Sequence, residues 1–243
     1  MHHELGHLGF QHLRWLLRHI PLFGAKGWIG NFKDCDAPLC SSCIQGGMQR
    51  RPIAGNTHTQ KPKSSLEREQ LIPGERVFSD QLVCSTPGRH CNGRGQQIGN
   101  LPCKGSTVFC DAASSTIRIF HQVSFTGGET QKSMLSFERE SAAVGVTIKG
   151  HNTDNGAYTA KEILERLETD SKTLRLSGVG AHHHNGPAEN AIKNVSRRAC
   201  IFMFHAAIRW PEACDKTLWP FAMNHAVHLH NHTPRRLDKF AHH

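Results

Sequence analysis

From Arg76 onward the chain alternates strand-like and helix-like patterns in the order βββ, α, β, α, β, α, α, and this order restricts the fold more than any other feature. "RVFSDQLVCS" reads as a strand, and "STVFCDAASSTIRIFHQ" as two strand-like runs around a turn of small residues, a hairpin signal. In "ETQKSMLSFERESAAVG" Met134, Phe137, Ser141 and Val144 form a helical stripe, and the alternating "VTIKG" follows as a strand. Thr159 and Glu162 have the capping-box spacing for a helix over "AKEILERLE", and "KTLRLSG" reads as a short strand. Pro187 suits the first turn of a further helix whose apolar face is Ala188, Ala191, Ile192, Val195, Ala199 and Phe202. A hairpin supplies antiparallel strands and strands separated by helices pair in parallel, so the expectation is an α/β fold with a mixed five-stranded sheet flanked by helices.

A chain of 243 residues holds one main domain and a small accessory module, at roughly 100 to 200 residues per domain. Near the amino terminus Leu5, Leu8, Leu13, Leu16 and Leu17 have the spacing of one helix face, and Pro21 ends that helix. The segment "QRRPIAGNTHTQKPKSSLEREQ" is polar, basic and poor in large apolar residues, as a linker is. The expected division is a small helical module over 1–50, a basic linker over 51–72 and the main domain over 73–243. The leading apolar run "LRWLLRHIPLF" is too short and too charged to span a bilayer, so no membrane partner is expected.

Lys and Arg number 29 against 20 Asp and Glu, a formal net charge of +9, which favours polyanionic partners such as nucleic acid. A merely soluble basic protein satisfies the same balance, so the charge needs a site beside it. Nine cysteines is an odd number and only Cys40 and Cys43 form a CxxC pair. With no signal peptide ahead of them, a secreted disulfide framework is disfavoured and metal ligation for some thiols is the better expectation.

His3 and His7 are spaced HxxxH, which places both on one face if the segment is helical, and "CSSC" follows at Cys40 to Cys43. Two imidazoles and two thiolates make a closed tetrahedral zinc set with a structural role, and a module this small needs such a staple. Against it stand the 19 histidines of the chain, which leave room for coincidence, and Cys35 as a competing thiol.

Three acidic residues of the main domain carry a second pattern. Asp80 lies mid-strand on the face of Phe78 and Leu82, where an unpaired buried carboxylate costs several kcal/mol, so it needs an arginine or a cation. Asp154, in "HNTDNG", ends a strand and serves either the turn or a metal. Glu189, 189 − 154 = 35 positions further on, serves either its own helix start, a Lys193 partner or the same metal. Converging carboxylates repel unless cations neutralise them, and the hard ions Mg²⁺ or Mn²⁺ suit an oxygen cluster.

The trio Asp80, Asp154 and Glu189, in "VFSDQ", "HNTDNG" and "HHNGPAENAIKN", resembles the acidic triad of retroviral and retrotransposon integrases, whose catalytic core has the ribonuclease H-like fold. "HHELGHLGF" and "CSSCIQGG" resemble the HHCC zinc module that precedes it, and module and core in this order are most similar to copia-type (Pseudoviridae) retrotransposon polyproteins. The resemblance covers nearly the whole chain. It implies that Asp80, Asp154 and Glu189 hold two Mg²⁺ or Mn²⁺ ions and are catalytic, and that His3, His7, Cys40 and Cys43 hold structural Zn²⁺. It implies contacts to DNA from Asn155, Asn185, Lys193 and Arg197, although a solvated charged face accounts equally well for the last two. Asp111, in "FCDAASS", matches another recurrent acidic position, for which a hairpin-stabilising role is expected. One departure is "GVGAHHHNGPAEN", with three histidines where the family has aromatic or Ser-Pro-rich residues.

The resemblance implies DNA integration: 3′-end processing and strand transfer by metal-dependent phosphoryl transfer. Its partners are double-stranded DNA, both element ends and target, and further copies of the chain. Its place is the nucleus, with cytoplasmic virus-like particles as a second. The abrupt start within the zinc module and the stop at "RRLDKFAHH" lead to the expectation of a polyprotein fragment or a decayed copy. Two rivals stand beside this reading: a catalytically inactive nucleic-acid-binding remnant, and a ribonuclease H-like nuclease acting on RNA–DNA hybrids, which leaves the zinc module unexplained.

Overall fold

A computed structural model describes residues 2–19, 38–48, 71–91, 101–178 and 185–234. The expected linker over 51–72 lies outside these residues apart from Leu71 and Ile72, as do Pro21, Cys35 and the histidines 182–184.

Five strands form one sheet: β1 (Val77–Gly88), β2 (Cys103–Asp111), β3 (Ile117–Gln122), β4 (Gly150–Thr153) and β5 (Thr173–Leu176). Their spatial order is β3-β2-β1-β4-β5. The first three pair antiparallel, as a hairpin-connected meander must, while β4 and β5 join β1 in parallel. The helices are α1 (Phe10–His19), α2 (Ser41–Gly46), α3 (Gly127–Ala143), α4 (Lys161–Thr169), α5 (Gly186–Arg209) and α6 (Trp219–His232). The mixed five-stranded sheet with flanking helices is therefore as expected.

Alternation along the strands divides the core into two layers. On one face Val77 and Phe109 pack with Met134 and Phe137 of α3, Ile163 and Leu167 of α4, and Tyr158. On the other, Val108, Cys110 and Ile117 meet Ala191, Val195 and Ala199 of α5 and Ala222, Met223, Ala226 and Val227 of α6. The small residues of α5 let it lie close to the sheet.

Local details differ from the sequence expectation in three places. The capping box at Thr159 and Glu162 does not form: Thr159 belongs to a 3-10 turn that buries Tyr158, and α4 starts behind Ala160, which has no side-chain cap. The side-chain cap is at α3 instead, where Thr126 accepts from the Glu129 N–H at 3.4 Å. The strand expected over 146–150 starts only at Gly150, because parallel pairing to β1 begins at Val77↔His151, although Ile148 keeps its buried place. Residues 2–6 are turns rather than helix, with Gly6 at φ +65° and His7 at φ +56°, and the helix begins at Phe10.

Candidate acidic site and His/Cys centre

Strand β1 runs parallel to β4 with Val77 opposite His151 and Phe78 opposite Asn152. Asp80 follows on β1 two residues after Phe78, and Asp154 follows directly on the end of β4, so both lie beyond the paired residues at the same end of the two strands. The side chain of His151 is buried towards α3, where it bonds Glu138 at 3.0 Å, so alternation sends Asn152 to the opposite face. Phe78 packs with Ala188 of α5, and Leu82 packs against the α5/α6 layer, so Asp80 shares that face. Both carboxylates act on the buried Tyr158 hydroxyl: burial pushes its pKa up, and the charges of Asp80 and Asp154 push it the same way.

Each carboxylate accepts a bond from the main chain just after it. Asp80 Oδ1 accepts from the Gln81 N–H at 2.7 Å, and Asp154 Oδ1 accepts from the Gly156 N–H at 3.3 Å in the turn that leaves β4. Asp154 is exposed, and Asn155 and Gly156 are exposed beside it. Asn185 caps the start of α5 and donates its Nδ2 to the Ser79 carbonyl at 3.0 Å, tying the helix to the residue before Asp80. Its side chain is thus committed to the interior, at 4% exposure, rather than to the DNA-facing loop position expected for it. Glu189 follows in the first turn of α5, exposed, one residue beyond the buried Ala188. Asp80 lies on β1, Asp154 follows the end of β4, and Glu189 lies on the helix fastened to the residue before Asp80. Among the described residues no salt bridge engages Asp154 or Glu189. Carboxylates at one end of a sheet are of the oxygen-donor type that a hard divalent cation takes.

Asp111 is built differently. Its Oδ1 accepts from the Gly74 N–H at 2.9 Å, and its Oδ2 accepts from the Ser114 N–H and hydroxyl, both at 2.7 Å, so it fastens the β2–β3 turn.

A second cluster gathers at the amino terminus. His7 Nδ1 faces the sulfurs of both Cys40 and Cys43 at 3.4 Å, His2 Nε2 faces Cys43 Sγ at 3.4 Å, and His3 Nε2 faces Cys40 Sγ at 3.8 Å. Nitrogen and sulfur ligands of one tetrahedral zinc lie about 3.6 Å apart, from bonds of about 2.1 and 2.3 Å, so these spacings are compatible with a shared metal ion. The donor atoms of His2, His3, His7 and Cys40 all lie within 4.8 Å of one another. Three of the expected residues, His3, His7 and Cys40, share this group with His2, while Cys43 approaches it through His2 and His7.

The Leu8 carbonyl at 2.9 Å from His2 Nδ1 orients that ring so that Nε2 is free towards Cys43. His2 escaped the sequence reading because HxxxH supposes a helix, whereas the left-handed turn at Gly6 and His7 folds the chain back and places residues five apart at one centre. Burial, and then His2, His205 and His3, push the His7 pKa down to about 4, so its imidazole is neutral, the form a metal binds. Burial and the neighbouring Cys40 push the Cys43 thiol up to about 11, opposed by Arg197. Lys193 is exposed, and Arg197 lies against the module, where a Cβ on Gly47 would stand 3.3 Å from its Nη2.

No protein-family model and no curated protein sequence matches the chain. Among solved structures it is similar to the simian T-cell lymphotropic virus intasome in complex with PP2A regulatory subunit B56 gamma, with TM-score 0.50 and 17% identity over 68% of this chain and 51% of that one. The HTLV-2 integrase catalytic core domain in complex with magnesium is similar at TM-score 0.47 and 15% identity in a dimeric form, over 69% of this chain and 92% of that one. Its trimeric form is similar at TM-score 0.44 and 17% identity, over 69% and 91%. The likeness to the intasome chain is one of fold, a mixed five-stranded sheet with flanking helices. The chain spans about half the length of the intasome chain it matches.

Proposed function

We propose that this chain is the zinc module (1–50), linker (51–72) and catalytic core (73–243) of a copia-type retrotransposon integrase, acting on double-stranded DNA by 3′-end processing and strand transfer. The observation that supports this reading is the parallel pairing of β1 with β4, Val77 opposite His151 and Phe78 opposite Asn152, beyond which the two chains continue to Asp80 and Asp154. In this reading the three carboxylates hold Mg²⁺ or Mn²⁺. Bound there, the cations supply the positive charge that stabilises attacking and leaving oxygens at a phosphodiester.

The chain's own residues provide the frame. Asp80 and Asp154 are fixed by the main-chain N–H groups of Gln81 and Gly156, so their oxygens need little reorganisation. Asn185 fastens the start of α5 so that Glu189 stays at this end of the sheet. Exposed Lys193, and Asn155 in the turn after β4, meet DNA phosphates, and the net charge of +9 favours the encounter. His7, Cys40, Cys43 and one or both of His2 and His3 hold Zn²⁺, which fastens the amino-terminal turns. Strand transfer joins two DNA molecules, so the working form is a homo-oligomer. Its substrate places it in the nucleus, with cytoplasmic virus-like particles as the place of assembly.

The test uses labelled duplexes cut from the ends of the element that encodes the chain. With Mg²⁺ or Mn²⁺ the protein is expected to nick these ends and join them to a second duplex. Asp154→Asn lowers the joining rate at least about a hundredfold, about 2.7 kcal/mol of barrier. Equal joining by parent and variant contradicts the catalytic reading. Duplex binding without any joining by the parent contradicts it as well, and leaves a nucleic-acid-binding remnant.

A further inference from the structure

We propose that His205, on helix α5 of the core, is a positioning residue of the His/Cys centre, so that binding the metal also fastens the amino-terminal module to the core. The inference rests on the zinc reading of that centre.

His7 turns Nδ1 to the two sulfurs, while its Nε2 lies 3.1 Å from His205 Nδ1. A metal at Nδ1 requires the His7 proton on Nε2, and that N–H then donates to His205 Nδ1, which fixes both the tautomer and the plane of the ring. The Leu8 carbonyl does the same for His2 from within the module. His205 does it from 198 positions away, across the whole linker and sheet. Its ring also meets that of His3, edge to face, with centroids 4.7 Å apart.

The surface of α5 is shaped for this contact. A Cβ on Gly46 would stand 2.6 Å from Ile201 Cα and 2.7 Å from its nitrogen, so only glycine lets α2 lie against the α5 backbone. Arg197, Ile201 and His205 follow one another at four-residue steps along α5, and all three meet the module: Arg197 at Gly47, Ile201 at Gly46, His205 at His7. On the other flank, Phe202 of α5 and Leu229 of α6 close over Gly6. Zinc ligation and docking therefore share His7 as a common element, and each strengthens the other.

The experiment measures the zinc affinity of the full chain by competition with a chromophoric chelator. Parent protein is expected to bind one zinc at the centre. His205→Ala is expected to weaken binding about 10- to 100-fold, the usual effect of removing an outer-shell partner. In His205→Asn the amide Oδ1 stands near the place of Nδ1 and accepts the same N–H, so affinity is expected to return to within about threefold of the parent. Zinc affinity of His205→Ala within twofold of the parent overturns the proposal while leaving the zinc reading intact. An Asn variant as weak as the Ala variant overturns it too, including where Ala has disturbed the fold. A parent that binds no zinc overturns the zinc reading and this inference together.

Discussion

Glu138 shows how a single buried side chain ties distant elements together. From α3 its carboxylate meets His151 of β4 at 3.0 Å, Lys172 at 2.6 Å and the guanidinium of Arg166 of α4. Burial raises its pKa, but the bonds from His151 and Lys172 and the charge of Arg166 outweigh this and hold it at about 2, below the ordinary 4.5. A carboxylate whose folded pKa is depressed contributes stability that is present above pH 4.5 and is lost as the pH falls towards 2. The shift corresponds to about 3 kcal/mol. Glu138→Gln is expected to cost about that much near neutral pH and to flatten the dependence of the urea midpoint on pH between about 4.5 and 2. A midpoint within experimental error of the parent at pH 7 contradicts this account. None of these pairings was legible in the sequence, because Glu138 is separated from Arg166 and Lys172 by 28 and 34 positions. The same holds for His205 and for Asn185, whose partner Ser79 is 106 positions away. The acidic trio could be singled out as candidates because each member sits in a local pattern, mid-strand, at a strand end or at a helix start.

At the scale of elements, what depends on neighbours in sequence could be read and what depends on partners elsewhere could not. The β2–β3 hairpin, α5 with Pro187 in its first turn, and β5 are set by local alternation and turn chemistry, and they occur where the patterns place them. The start of β4 is set by its pairing to β1, and the amino-terminal turns by the His/Cys cluster, so periodicity misplaced both. Capping is a sharper case, because two T-x-x-E sequences exist and only one caps. At α3 the backbone of Thr126 is extended, with φ −73° and ψ 159°, and its hydroxyl reaches Glu129. Around Thr159 the need to bury Tyr158 draws the chain into a 3-10 turn, and the hydroxyl bonds the Gly156 carbonyl at 3.0 Å instead. Thr126→Ala is expected to lower stability by about 1 kcal/mol, and Thr159→Ala by less than about 0.5 kcal/mol, in denaturant titrations. The reverse order would show that the cap has been assigned to the wrong helix.

Across the whole molecule, α5 connects the two candidate centres. Its first turn is fastened beside Asp80 and carries Glu189, its middle forms the core with Ala191, Val195 and Ala199, and its last turns receive the amino-terminal module at Ile201 and His205. A row of residues at four-position steps winds slowly around a helix, so one rigid element presents its acidic and its module-binding ends to different sides. The proposed integrase activity depends above all on Asp80 and Asp154 holding a divalent cation. Mn²⁺ uptake, followed by loss of the free-ion electron paramagnetic resonance signal after the His/Cys centre has been filled with zinc, measures that directly. The parent is predicted to bind Mn²⁺, and Asp80→Asn and Asp154→Asn each to weaken uptake at least about tenfold, about 1.4 kcal/mol. Uptake unchanged in both variants would contradict the account.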